Sequence, residues 1–370
     1  MPGAVSRAVG RLERVRGLLD AHELDAILFS RGAYKRWLAG FVLQRGEEST
    51  SDYAGTLLVT RERRLLLADK RYTEQAAVEA PDWQLIATDG KIELELAALW
   101  PTLGISRCGA EAKVVSHGDW QAIGVAAPGV ELVALDGALA ELREVKDEAE
   151  QDAIARACSL TDACFAHLLT TVRPGLTEKE IAWQIEDWFR ANGAESLAFD
   201  SLVLVGERAS MPHGRPSDAA VEVGKVLLMD FGCQVDGYRS DMTRTLFIGE
   251  PDDASRRLYR LVADAQAAAF KRCAVGISGI AVDAAAREMI AAAGFGEAFT
   301  HGLGHGIGLE THEAPSLKLH PGPLRAGMTF TLEPGIYLPG RIGIRIEDDI
   351  LLGEAGPRYL TTSPRDVIVI

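Results

Sequence analysis

The chain has 370 residues, 47% hydrophobic and 25% charged, which is enough apolar material for roughly two cores of about 150 residues each. With 39 Lys and Arg against 53 Asp and Glu the net charge is −14, a balance that excludes a phosphate-binding partner such as nucleic acid and an anionic membrane surface, and no run of about 20 apolar residues marks a membrane span. Five cysteines, odd in number and without a CxxC pair, exclude a disulfide framework or zinc ribbon and fit a reduced, cytoplasmic setting.

The N-terminal stretch over residues 5–21 reads as a charged amphipathic helix, lacking the uninterrupted apolar core of a signal peptide. Strand-like runs follow at LDAILFS, GTLLVT and RRLLLAD. RYTEQAAVEA, KIELELAALW and SHGDWQAIGVAA carry helical patterns between the extended runs WQLIAT, ISRCGAE and VELVAL. Such alternation predicts a small α/β domain over residues 1–139. It has no GxGxxG after its first strand and so is not read as dinucleotide-binding.

The character changes near residue 140. Residues 138–172 read as one long helix, stopped at Arg173, Pro174 and Gly175. A second helix opens at Thr177 as N-cap, with Glu180 three residues on completing a capping box, and ends at Gly193. Extended runs SLVLVG, KVLLMDFG and TRTLFIG then alternate with two helices near residues 252–271 and 279–293. The chain closes on MTFTLEPGIYLP and IGIRIEDDILL, two further extended runs. Residues 140–370 form the second expected domain.

Within it, four apolar strands carry a carboxylate: Asp230 in VLLMDFG, Asp241 in YRSDMTRT, Glu333 in FTLEPG and Glu347 in IRIEDD. A buried ionised carboxylate costs several kcal/mol unless paired or metal-bound. Arg239, Arg244 and Arg345 are near in sequence as structural partners, but four carboxylates are more simply neutralised by two divalent cations. Oxygen donors with one imidazole suit Mn²⁺, with Co²⁺ or Zn²⁺ as alternatives. The imidazole is found in HGLGHGIGLETHEAP, residues 301–315, where His301, His305 and His312, three of only eight histidines, are interleaved with glycines. Gly302, Gly304 and Gly306 argue against a helix and for a backbone turning tightly around His305.

MDFG with SDMTRT, GHGIGLETHE, EPG and RIED occur in the order and context of the pita-bread metallopeptidases, which include methionine aminopeptidase, aminopeptidase P, prolidase and creatinase. The chain resembles that family over roughly residues 144–370, and its first domain is similar to that of the aminopeptidase P and prolidase branch. The resemblance implies an α/β (α+β) protein whose C-terminal pita-bread domain is a curved, mostly antiparallel sheet covered by helices. It implies that Asp230 is a ligand of one metal, that Asp241 and Glu347 bridge both, and that His305 and Glu333 complete the other. It further implies that His213 of MPHG and His312 act on substrate, with Glu333 as proton acceptor and His301 as a wall of the pocket.

The expected activity is hydrolysis of an Xaa-Pro bond in a dipeptide, with aminopeptidase P action on longer peptides as the rival. A metal-free creatinase-like hydrolase and a non-catalytic binding module are disfavoured because every ligand position carries a ligand. A homodimer follows from the resemblance alone. A dipeptidase must bind the free carboxylate on proline. The arginine that prolidases often carry after HE is replaced here by HEAPSLK, with Ser316 near that place and Lys318 close by. Arg345 is placed at the substrate, and Arg45, in the polar loop after WLAGFVL, is the candidate partner for the carboxylate, ahead of Arg36.

Overall fold

The computed structural model describes residues 2–43 and 55–370. Two compact units divide the chain, Met1–Leu142 and Arg143–Ile370. Arg45 lies outside the described residues.

The first unit is a six-stranded mixed sheet in the order Gln84–Thr88, Arg64–Asp69, Thr56–Thr60, Ala26–Phe29, Arg107–Ala110, Glu131–Ala134. Thr56–Thr60 pairs antiparallel with both its neighbours, and the other three pairs are parallel. Strands such as Ala26–Phe29 are buried at every position, the pattern of a sheet covered on both faces. Leu28, Leu58, Leu67, Leu96 and Trp100 lie in its core. The expected α/β alternation is what folds.

In the second unit every strand pair is antiparallel. Period-2 alternation divides its sheets between two cores. Along Val226–Phe231, Val226 and Leu228 join the cluster packed under the helices Asp253–Arg272 and Gly279–Ala292. Leu227, Met229 and Phe231 join the cluster under Glu148–Thr171 and Glu178–Ala191. The same alternation assigns Asp230 to the face of Val226 and Leu228.

The long helix expected over residues 138–172 is two helices, Asp136–Glu144 and Glu148–Thr171. The break is held by Asp147, whose side chain caps the second helix while Glu150 reaches back to its backbone. Lys146 also pairs its backbone with Gly327. The Thr177 capping box forms as expected.

The closing runs also break, each at its carboxylate. Thr329–Leu332 pairs with Asp348–Gly353, whereas Gly335–Leu338 pairs with Ile342–Arg345. Pro334 has no N–H to continue a ladder. At the switch, Glu333 donates its backbone N–H to Leu303, and Glu347 donates its own to Thr243. That change of partner turns both carboxylates out of their ladders and toward each other.

All five cysteines are buried and unpaired. Among the described residues no helix is long and apolar enough to cross a membrane.

Candidate metal centre

Seven segments of the second unit converge on one cavity of about 410 Å³. It is lined by Asp230, Asp241, Glu333 and Glu347, by His213, His301, His305 and His312, and by Arg345. Phe199, Leu202 and Pro212 supply an apolar wall. The candidate residues read from sequence are thus brought together, apart from Arg45, which lies outside the described residues, and Arg36, which sits on the helix Gly32–Ala39 and lines a different pocket, within the first unit.

Asp241, His305 and Glu347 each offer a donor atom within 4.8 Å of the others. His305 Nε2 lies 3.4 Å from Glu333 Oε1 and 3.8 Å from Asp241 Oδ2. Its Nδ1 faces the Gly306 carbonyl at 3.1 Å. A carbonyl can only accept, so Nδ1 carries the proton and the Nε2 lone pair faces the carboxylates, the arrangement of a metal-binding histidine. His301 is arranged differently. Its Nδ1–H donates to the Gly302 carbonyl at 2.8 Å, and Nε2 accepts from the Tyr337 hydroxyl at 2.9 Å. Both ring nitrogens are engaged, so His301 stands as a wall of the cavity.

The glycines serve close approach rather than a turn. Positive φ is found at other glycines but not at Gly302, Gly304 or Gly306, so these positions do not use glycine's left-handed conformation. A Cβ at Gly304 would sit 1.9 Å from the Thr331 carbonyl oxygen, and one at Gly306 would sit 2.2 Å from that of Ala314. The loop lies flat against its neighbours and delivers His305 into a two-residue strand. The helix Gly279–Ala292 anchors it. Asp283 accepts from the Leu303 N–H at 2.8 Å, and Arg287 donates to the His301 carbonyl at 2.7 Å.

The carboxylates are only partly compensated by protein. Arg345 Nη2 donates to Asp230 Oδ2 at 2.6 Å, Nη1 to the Tyr337 hydroxyl at 2.8 Å, and Nε to Thr243 Oγ1 at 2.8 Å. Expected at the substrate, Arg345 lines the cavity but engages its guanidinium with these groups. Thr243 in turn donates to Glu347 Oε2 at 2.6 Å. Arg244 is fully buried against Asp348 and so is not available to the cluster. Arg239 donates to Thr311 Oγ1.

Two buried oxygens, Asp230 Oδ1 and Asp241 Oδ1, have no hydrogen-bond partner among the described residues. Orphaned carboxylate oxygens beside a neutral imidazole are what a hard or borderline divalent cation requires, so the residues present fit one.

The electrostatics follow from crowding. Burial, and then the Asp230 charge, push Glu333 up to about 8, with Arg345 opposing. Burial and the charge of Glu347 hold Asp241 well above the usual carboxylate range, and burial with Glu333 does the same to Glu347. Burial pushes His305 and His301 down to about 4 and also lowers His312. His213 and His312 are exposed at the mouth, and the His312 ring lies 4.2 Å from that of His305.

Sequence reasoning missed Tyr337, Thr243 and Asp283. Thr243 had a signal, since Asp241, Thr243 and Thr245 alternate as polar residues along an apolar strand.

The sequence model of metallopeptidase family M24 matches residues 152–354, and that of the creatinase/prolidase N-terminal domain matches residues 11–145. A solved Xaa-Pro dipeptidase from Bacillus anthracis superposes with a TM-score of 0.91 at 36% identity, covering 98% of this chain and 100% of its own. An X-Pro aminopeptidase from Thermotoga maritima superposes with a TM-score of 0.87 at 37% identity, covering 97% and 99%. A Xaa-Pro dipeptidase of Pyrococcus horikoshii is 32% identical over 97% of this chain and 98% of its own length.

Proposed function

The chain belongs to metallopeptidase family M24, and on that footing we propose that it hydrolyses the Xaa-Pro bond of dipeptides. The observation that carries the reading is the convergence of Asp241, His305 and Glu347 within 4.8 Å in a cavity that also holds Asp230 and Glu333. Asp230, Asp241, His305, Glu333 and Glu347 would hold the two divalent cations. Mn²⁺ is the expected ion, with Co²⁺ or Zn²⁺ as alternatives. When bound, such a pair supplies a Lewis acid for the scissile carbonyl and lowers the pKa of an attacking water.

The chain's own residues do the rest. Glu333 is the proton acceptor for the water. Arg345 fixes Asp230 through its 2.6 Å hydrogen bond, and Tyr337 couples Arg345 to His301. His312 and His213, at the mouth, donate to the developing oxyanion or protonate the departing imide nitrogen. Proline offers no N–H there, so recognition of its ring falls to an apolar surface, and Phe199, Leu202 and Pro212 provide one. The setting we assign is cytoplasmic and homodimeric, with proline-containing dipeptides or short peptides as substrates and neither nucleic acid nor membrane as partner.

One observation favours the rival reading, aminopeptidase P action on longer peptides. A second cavity of about 730 Å³, lined by Met211, Gly214, Pro339 and Gly340, shares Pro212 and His213 with the first. The two cavities therefore adjoin at Pro212 and His213, the side on which residues beyond proline would lie in this reading. Comparing kcat/KM for Xaa-Pro with that for Xaa-Pro-Yaa separates the two. A preference for the dipeptide is expected, and a preference for the tripeptide transfers the assignment to aminopeptidase P.

A further inference from the structure

Asp349 is a fully buried carboxylate outside the set assigned to the metals. It lies on the strand Asp348–Gly353, where successive side chains point to opposite faces. Asp348 faces Arg244, Arg365 and Gln266, which hydrogen-bond both its oxygens. Asp349 faces the other way and, among the described residues, meets no guanidinium. Its Oδ2 accepts from the Asp241 backbone N–H at 2.8 Å and from the Cys158 thiol at 3.2 Å. Its own N–H is fixed by Thr361 Oγ1 at 3.1 Å.

Asp241 needs such a partner. It sits one residue ahead of the strand Met242–Phe247 and so outside the ladder. Its Oδ1 has no hydrogen-bond partner among the described residues, and its Oδ2 is 3.8 Å from His305 Nε2. The side chain assigned to the metal site is thus positioned through its backbone, and the hydrogen bond that this backbone donates to Asp349 is what holds it against the segment carrying Glu347.

We infer that Asp349 is a positioning residue for the metal centre, fixing Asp241 at the spacing from Glu347 that divalent cations require. The inference rests on the reading of Asp241 as a metal ligand. It needs only an acceptor oxygen at this position. Groups that orient a metal ligand from behind change metal affinity by about 10–100-fold when removed.

The test is calorimetric titration of the chelated full-length protein with Mn²⁺ alone, alongside melting curves. Asp349→Asn keeps an acceptor oxygen and is expected to bind Mn²⁺ as the parent does. Asp349→Ala removes it and is expected to bind about 10–100-fold more weakly. Cys158→Ala deletes the other group on the same oxygen. It is expected to lower the melting temperature, as any loss of a buried contact does, while leaving Mn²⁺ affinity unchanged. Parent-like binding by Asp349→Ala overturns the inference, as does equal weakening of Asp349→Asn and Asp349→Ala. A parent protein that binds no Mn²⁺ overturns the metal-centre reading itself, a result distinguishable because it shows before any substitution is made.

Discussion

At the scale of single residues, the account turns on buried carboxylates that require a counter-charge. Asp241→Ala or Glu347→Ala removes a proposed metal ligand, and the expected result is loss of both cations and of turnover with the fold retained, read by metal analysis and circular dichroism. Two retained metals with parent-like turnover contradicts the assignment. The protons have a definite direction. Glu333 is held up at about 8, and Asp241 and Glu347 are also raised, so in the metal-free protein these groups hold protons that a cation must displace. A carboxylate whose folded pKa is raised contributes stability that is complete below its unfolded value, 4.5 for Glu333, and is lost as pH rises through the folded value. His305, pushed down to about 4, acts oppositely, but its contribution is lost only as pH falls below 6.5. Between about pH 6.5 and pH 8, then, the metal-free protein should lose melting temperature, and the gain on adding saturating Mn²⁺ should widen. A gain that shrinks over that window contradicts the proton competition. His312→Ala and His213→Ala should each lower turnover about 10²–10⁴-fold with metal content unchanged, the range of general acid–base groups. The four carboxylates were legible because charge in an apolar run is conspicuous, His305 because histidines crowd among glycines, and His213 and His312 only through the family resemblance. Tyr337 was not, since an aromatic residue in a strand is ordinary and its hydroxyl matters only through what it faces, whereas Thr243 was signalled by its alternation with Asp241 and Thr245.

At the scale of elements, two features escaped sequence reading for physical reasons. The helix break at Val145, Lys146 and Asp147 has no glycine or proline, so periodicity ran through it, although Asp147 and Glu150 spell a capping box. The closing runs looked continuous because Glu333 and Glu347 interrupt them by a change of partner strand, which no local pattern encodes. The glycine loop was legible as a site but its glycines were misread, since their role is set by the carbonyls of Thr331 and Ala314 across the sheet. Gly304→Ala places a carbon 1.9 Å from the Thr331 oxygen. The expected cost is about 1–3 kcal/mol, with weaker metal binding as His305 is displaced. Gly302→Ala meets only the Lys318 side chain at 3.2 Å and should be milder in both respects. Thermal melting and Mn²⁺ titration of the two variants check this, and equal effects contradict it.

At the scale of the whole molecule, each unit matches its own family model, and the relatives align over nearly their full length. Solved relatives named as dipeptidase and as aminopeptidase superpose with TM-scores of 0.91 and 0.87, so the overall fold does not choose between the two substrate lengths. That choice belongs to the cleft beyond His213 and to whatever cation meets the substrate carboxylate. What the two substrate readings share is chemistry at a cluster of carboxylates and one imidazole that functions only with divalent cations bound. The measurement closest to that claim is proline release from an Xaa-Pro dipeptide before chelation, after confirmed removal of metal, and after Mn²⁺ is restored. The account predicts activity, its loss, and its return; undiminished release from the verified metal-free protein contradicts it.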